Sequence, residues 1–267
     1  MRGTKRRNVR VVVEYDGTGY AGWHIQRDAP TIQGELVRAI RGLTGEGDLT
    51  VTGASRTDAG VHAVGQIANF LTYCDVPPDG ILSALNNTLP GDIVIREAAE
   101  VPVGFSARRD STGKSYIYKV LNSRMPSAFL SRYAWFVDRP LDAARMREGA
   151  RPFIGCKDFS SFMAVGSDAR SFEREVTAFD IRELGDGIIE FEVRGNAFLR
   201  HMVRIMVGTI VQVGLGALEP AAVEGIIEAR DRSAAPMTAP ACGLTLIRVN
   251  YPPEGGLAPR GGSSVVS

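Results

Sequence analysis

GASRTDAGVHA, residues 53–63, sets one carboxylate, Asp58, among small side chains, with Arg56 two positions before it. Gly53, Ala54, Ser55, Ala59, Gly60 and Ala63 offer little bulk for a core, and Gly60 can supply a positive-φ turn directly after the acid. An acid displayed in this way is either a turn former, bonding nearby backbone amides, or a reagent that a large substrate can approach. The segment alone leaves both readings open, and the rest of the chain has to choose between them.

Outward from this segment the chain alternates strand and helix patterns. NVRVVVEY, residues 8–15, is rich in valine and reads as a buried strand. Thr31 is a candidate N-cap for a helix to Leu43 with Ile32, Leu36, Ile40 and Leu43 on one face. Residues 60–71 alternate weakly as a strand, 78–89 read as a second helix and 92–96 as a strand. A second unit is expected to begin near Phe105. Its elements are a two-faced strand at 115–120, a helix at 141–153 and a hairpin of 175–182 with 187–194 about Gly185. A long buried helix at 198–215, a shorter one at 220–228 and a closing strand at 244–251 follow. The class is α+β, with domains at 1–104 and 105–251 and a disordered tail at 252–267.

Length and composition bound the function. The 267 residues are ordinary globular in composition, 44% hydrophobic and 23% charged, enough for a large core and two domains. Cys74, Cys156 and Cys242 are odd in number and far apart, which argues against a disulfide framework or a zinc site and fits a reducing cytoplasm. With three histidines, His24, His62 and His201, no metal centre is expected. The basic start lacks the apolar core of a signal peptide, and Arg200, His201 and Arg204 interrupt the longest apolar run, so no membrane span is expected. The net charge is only +1, but basic residues cluster at Arg2, Lys5, Arg6, Arg7 and Arg10, and again at Arg108, Arg109, Lys114 and Lys119. Local patches of this kind, rather than total charge, meet phosphates, although each read singly is equally a solvated surface.

Gly17, Gly19 and Gly22 spell GxGxxG after a strand, the spacing of a dinucleotide-binding turn. The context fails, because residues 23–30 intervene before the helix whose N-terminus should hold the pyrophosphate. Arg204 is more informative. It lies among Met202, Val203, Ile205, Met206 and Val207, and a guanidinium there either joins a small and polar stripe at 197, 200, 201, 204, 208 and 212 or pairs with a buried carboxylate. Asp58 is an attractive partner, and such a pair would keep the acid ionised. Tyr116 and Phe198 are aromatics beside basic residues, suited either to a core or to stacking on bases.

With these residues in view, the chain resembles the TruA-type tRNA pseudouridine synthases from Val11 to Tyr251. Seven ordered segments carry the likeness: YDGTGYAGWHIQ at Tyr15, TIQGELVRAI at Thr31, GASRTDAGVHA at Gly53, ALNNTLPGDI at Ala84, FSARRDSTGKSYIY at Phe105, GNAFLRHMVRIMVG at Gly195 and PACGLTLIRVNY at Pro240. The resemblance implies a cofactor-free isomerase that turns uridine into pseudouridine at positions 38 to 40 of the tRNA anticodon stem-loop. It implies two sheet-plus-helix domains about a central cleft, usually completed by homodimerisation, in a cytoplasmic protein. It puts the catalytic aspartate at Asp58, an active-site tyrosine at Tyr116 and the arginine paired with the acid at Arg204. Arg56, Arg108, Arg109, Lys114, Phe198 and Arg200 are then candidate substrate contacts, and the N-terminal cluster would add phosphate contacts. Lys157 stands where family members often have a histidine. The alternative is a catalytically inactive tRNA-binding and folding protein of the same fold, which would not need an acid facing phosphates.

Overall fold

The computed structural model describes residues 2–166 and 170–252. The expected disordered tail lies, from residue 253 on, outside the described residues. In chain order the elements are β1 (Arg2–Tyr15), α1 (Ile32–Thr44), β2 (Val51–Gly53), β3 (His62–Cys74), α2 (Pro78–Thr88), β4 (Ile93–Val101), β5 (Gly113–Asn122), β6 (Trp135–Val137), α3 (Ala143–Ala150), β7 (Gly155–Asp158), β8 (Glu173–Gly185), β9 (Ile188–Gly195), α4 (Met202–Gly214), α5 (Ala222–Ala229) and β10 (Leu244–Asn250). The arrangement is α+β, and its strands form one continuous sheet in the order β4-β1-β3-β10-β5-β9-β8-β7, with β2 beside β3 and β6 beside β5.

Strand β1 is the centre of the first half, antiparallel to both β3 and β4. Val9, Val11 and Val13 alternate into the core and are fully buried. The strand reaches back to Arg2, further than its valines suggest, because β3 supplies ladder partners as far as Arg2 opposite Cys74. Helix α1 forms where its pattern predicts: Thr31 caps it by accepting from Gly34 N at 3.2 Å, and Gly45 ends it at φ +70°. Ile32, Leu36 and Ile40 are buried on one face, each worth about 1.5–3 kcal/mol of transfer free energy.

In the second half, β5 alternates as expected, with Tyr116, Tyr118 and Val120 buried. The hairpin of β8 and β9 turns at Asp186, flanked by Gly185 and Gly187, all at positive φ. Two readings change. The helix expected from residue 198 begins only at Met202, since His201 at φ +64° breaks the α conformation before it. The expected helix at 141–153 is α3 followed by a 3-10 turn at Arg151–Phe153, where Pro152 supports the tighter turn. Strands β2, β6 and β7 carry three or four residues each, too few for a periodic signal. No helix among the described residues is long and apolar enough to cross a membrane.

The expected boundary between residues 104 and 105 falls in the connection from β4 to β5. Across it the sheet is joined through β10, which lies parallel to β3 at Thr245 opposite His62 and Leu246 opposite Ala63, and antiparallel to β5. Gly65 lets this seam close: a Cβ there would stand 2.1 Å from the Ile247 carbonyl oxygen. Gly65→Ala should therefore wedge β3 from β10 and lower the unfolding free energy by about 1–3 kcal/mol, read from urea denaturation.

Candidate active site

The 53–63 segment leaves β2, turns at Asp58 and enters β3, and its course is set by backbone contacts. Ala54 N donates to Ile67 O at 2.8 Å, and Trp23 N donates to Thr57 O at 3.0 Å. Gln66, fully buried on β3, accepts from Ser55 N and donates to Ser55 O at 2.7 Å, which braces the segment from the sheet. Tyr15 OH and Thr57 Oγ1 share a hydrogen bond of 2.8 Å. Gly60 takes the positive φ expected of it, +76°, and Val61 N closes the turn onto Asp58 O.

The small residues serve packing more than openness. Ala54, Ser55 and Ala63 are buried, contrary to their reading as poor core material. Gly53 lies against the Trp23 ring, where a Cβ would stand 2.3 Å from Cζ2. Two of the glycines that imitate a dinucleotide turn, Gly17 and Gly22, face the same segment. A Cβ at Gly17 would lie 2.0 Å from Val61 O, and one at Gly22, already at φ +99°, 2.6 Å from Thr57 O. These glycines give backbone access to the acid's own loop.

Asp58 meets Arg204 as the apolar surroundings of that arginine suggest. Arg204 Nη1 donates to Asp58 Oδ2 at 3.0 Å, with side chains 15% and 22% exposed respectively. The guanidinium is held from behind, because its Nε donates to Ala239 O at 2.8 Å and Ala239 N donates to Arg204 O. That strap passes over Gly208, where a Cβ would strike Met237 O at 2.1 Å. His201 Nε2 stands 3.5 Å from the same Oδ2. Both groups thus face one carboxylate oxygen, and Oδ1 accepts no hydrogen bond from the described residues.

Tyr116 reaches the acid's loop from β5, its hydroxyl 2.8 Å from Ser55 Oγ. Burial, and secondarily the charge of Asp58, push its phenol up to about 12, with the Ser55 hydrogen bond opposing. The ring meets Phe198 edge to face, centroids 5.3 Å apart. Lys114 lies two residues before Tyr116 on the same strand face. Burial, with the charges of Arg108 and Arg174, lowers its ammonium to about 8.

The remaining candidates divide by their partners. Arg56, Arg108 and Arg200 are exposed, and among the described residues none of their side chains makes a hydrogen bond or ion pair. Arg109 is tied to Asp110 at 2.9 Å and to Gly104 O. In the N-terminal cluster, Arg7 pairs with Glu100 at 3.0 Å and Arg10 with Glu97, so the register of β1 with β4 takes up two expected phosphate contacts. Lys157 donates to Glu224 at 3.0 Å. Among the described residues no three His, Cys, Asp or Glu side chains gather into a metal-binding group. Sequence reasoning missed the active-site positions of Ser55, Gln66 and Ala239. The sequence marks His201 as one of three histidines and as a member of the polar stripe around Arg204, without placing it at the acid.

Comparison with known proteins finds relatives over most of the chain. A family model described as tRNA pseudouridine synthase matches residues 11–108 and 150–252, including Asp58 and Arg204. The tRNA pseudouridine synthase A of Acetivibrio thermocellus is 47% identical over 245 residues, 92% of this chain and 100% of that protein. Those of Ruminiclostridium cellulolyticum and Moorella thermoacetica are 45% and 46% identical, over 92% and 91% of this chain and 100% and 99% of theirs. With most of its length matched and the acid, its arginine and the tyrosine gathered at one site, this chain belongs to the tRNA pseudouridine synthase family.

Proposed function

We propose that the protein isomerises uridine to pseudouridine at positions 38 to 40 of the tRNA anticodon stem-loop, with Asp58 as the reacting group. The observation that carries this reading is the Asp58–Arg204 pair, an acid kept beside a fixed cation in a partly open site. A binding and folding protein of the same fold would gain nothing from a carboxylate turned toward phosphates.

The reaction breaks the bond from the uracil nitrogen to the ribose, turns the base and rejoins it through carbon 5, which then loses a proton. Oδ1 of Asp58 is the free oxygen, suited to attack the sugar or to take a proton from it. Arg204 holds Oδ2 and the charge. The target leaves its stack at a cost of a few kcal/mol, and Arg56, exposed beside the acid, fills the gap it leaves. Tyr116 and Phe198 form an aromatic wall for the displaced base. With its phenol near 12, Tyr116 acts at neutral pH as a protonated wall and donor. Arg108, Lys114 and Arg200 contact phosphates and position the stem-loop, with Arg109 contributing from its tie to Asp110.

This reading treats residues 1–104 and 105–251 as two units about the site and places the enzyme in the cytoplasm. It also takes the protein to be a homodimer, for which Met125 and Phe129, 74% and 90% exposed, offer apolar surface.

Tritium release from carbon 5 of labelled tRNA tests the role of Asp58. The wild type should release it and Asp58→Asn should not, while equal turnover would remove Asp58 from the chemistry. Arg204→Met should lower the same rate by at least about a hundredfold, the scale of a lost preorganised charge. Because Lys114 loses its proton near pH 8, tRNA affinity should fall as pH rises through that region, and Lys114→Met should flatten this dependence.

A further inference from the structure

Lys114 sits among cations rather than carboxylates. On β5 it lies opposite Gly195 of β9, and Gly195 lies opposite Val176 of β8, so Lys114 and Val176 share one face of the sheet two strand spacings, roughly 10 Å, apart. Arg174, two residues before Val176, lies on that same face. On its other side Lys114 faces Val249 of β10, so neither flanking strand sets a charge opposite it. The charges that act on its ammonium are those of Arg108, in the connection from β4 to β5, and Arg174, and with burial as the larger cause they lower it to about 8. Three cations so placed repel one another, and an anion among them relieves that repulsion.

Arg174 differs from the arginines that stabilise the fold. Among the described residues Arg7, Arg10, Arg145 and Arg174 each bury an Nε that has no hydrogen-bond partner. The first three turn a terminal nitrogen to a glutamate, Glu100, Glu97 and Glu219 respectively. Arg174 makes no ion pair among the described residues. Its Nη1 donates to the carbonyls of Ser171 and Glu173 at 3.0 and 2.6 Å, which fixes the guanidinium and leaves Nη2 unengaged by them.

The aromatic wall stands at the same place. A Cβ on Gly195 would lie 3.1 Å from Phe198 Cζ, so the ring that meets Tyr116 rests on the strand between Lys114 and Arg174. Resting on the function proposed above, we infer that Arg174, Lys114 and Arg108 together bind one phosphate of the RNA backbone, one of the two that flank the uridine displaced against Tyr116 and Phe198. Arg174 is thus a positioning residue: it fixes the backbone beside the wall, and the base reaches the wall at a set distance from Asp58. A held guanidinium offers the phosphate directed donors, whereas Lys114 supplies a point charge.

A thermodynamic cycle between Arg174 and single phosphates tests this. tRNA carrying one uncharged methylphosphonate, moved through successive positions of the anticodon arm, is titrated against the wild type and Arg174→Gln, and pseudouridine formation is followed separately. Neutralising one flanking phosphate should weaken wild-type binding about 10- to 100-fold, the scale of hydrogen bonds to charged groups, and should cost Arg174→Gln at least about fivefold less. Arg174→Lys should recover part of that coupling, since it restores the charge. Independent losses at every phosphate would overturn the inference and leave Arg174 as a brace for its own turn. Coupling to a phosphate elsewhere in the arm would overturn it as well. Wild-type protein that binds tRNA but forms no pseudouridine would instead remove the function on which the inference rests, while the affinities still report the phosphate site.

Discussion

The ion pair of Asp58 and Arg204 is the constraint around which the structure is arranged, because it joins residues 146 positions apart across the two halves of the sheet. A partly buried pair loses hydration on both sides and is retained only where geometry and further hydrogen bonds compensate. Here the compensation is specific. Ala239 holds the guanidinium through its Nε, Gly208 lets that strap lie on α4, and the loop bearing Asp58 is braced by Gln66 and Tyr15. Removing either partner would leave the other charge partly buried without its counter-charge, so the pair also ties the site to the packing around it.

Glycine supplies the second element of the design. Gly17, Gly22 and Gly53 each occupy a place where a Cβ would collide with backbone or with the Trp23 ring; the first two press on residues 57–61 and Gly53 begins the segment. Gly65 and Gly208 do the same at the β3–β10 seam and on α4. Backbone packed this closely has few alternative positions, which keeps the acid where Arg204 and His201 can reach it.

The chain's near-neutral net charge conceals a division of labour among its basic residues. Arg7 and Arg10 of β1 pair with carboxylates of β4, and Arg147 of α3 pairs with Glu183 of β8. Around the acid, cations outnumber carboxylates: Arg204, Arg200 and Arg232 act on His201, and Arg108 and Arg174 act on Lys114. Burial depresses the proton affinity of both His201 and Lys114, and these cations lower it further.

Much of this was legible in the sequence. Helix α1, the alternation of β5 and the β8–β9 hairpin follow from local patterns, which depend on neighbours within a few residues. Asp58, Tyr116 and Arg204 were singled out by their sequence surroundings and by resemblance, and an arginine among Met202, Val203, Ile205 and Met206 left a polar stripe and a buried pair both open. What stayed hidden depends on residues distant in sequence. No local signal says that Arg10 faces Glu97, that Ala239 grips Arg204, or that Gly17 and Gly22 press on the loop of Asp58. The sequence by itself determined the longer elements and marked Asp58 and Arg204 as candidates for a pair, because propensity and burial act locally. Only the tertiary structure decided which oxygen of Asp58 accepts no hydrogen bond among the described residues, which arginines are spent on the sheet and that His201 stands beside the acid, because these follow from strand register and one left-handed residue.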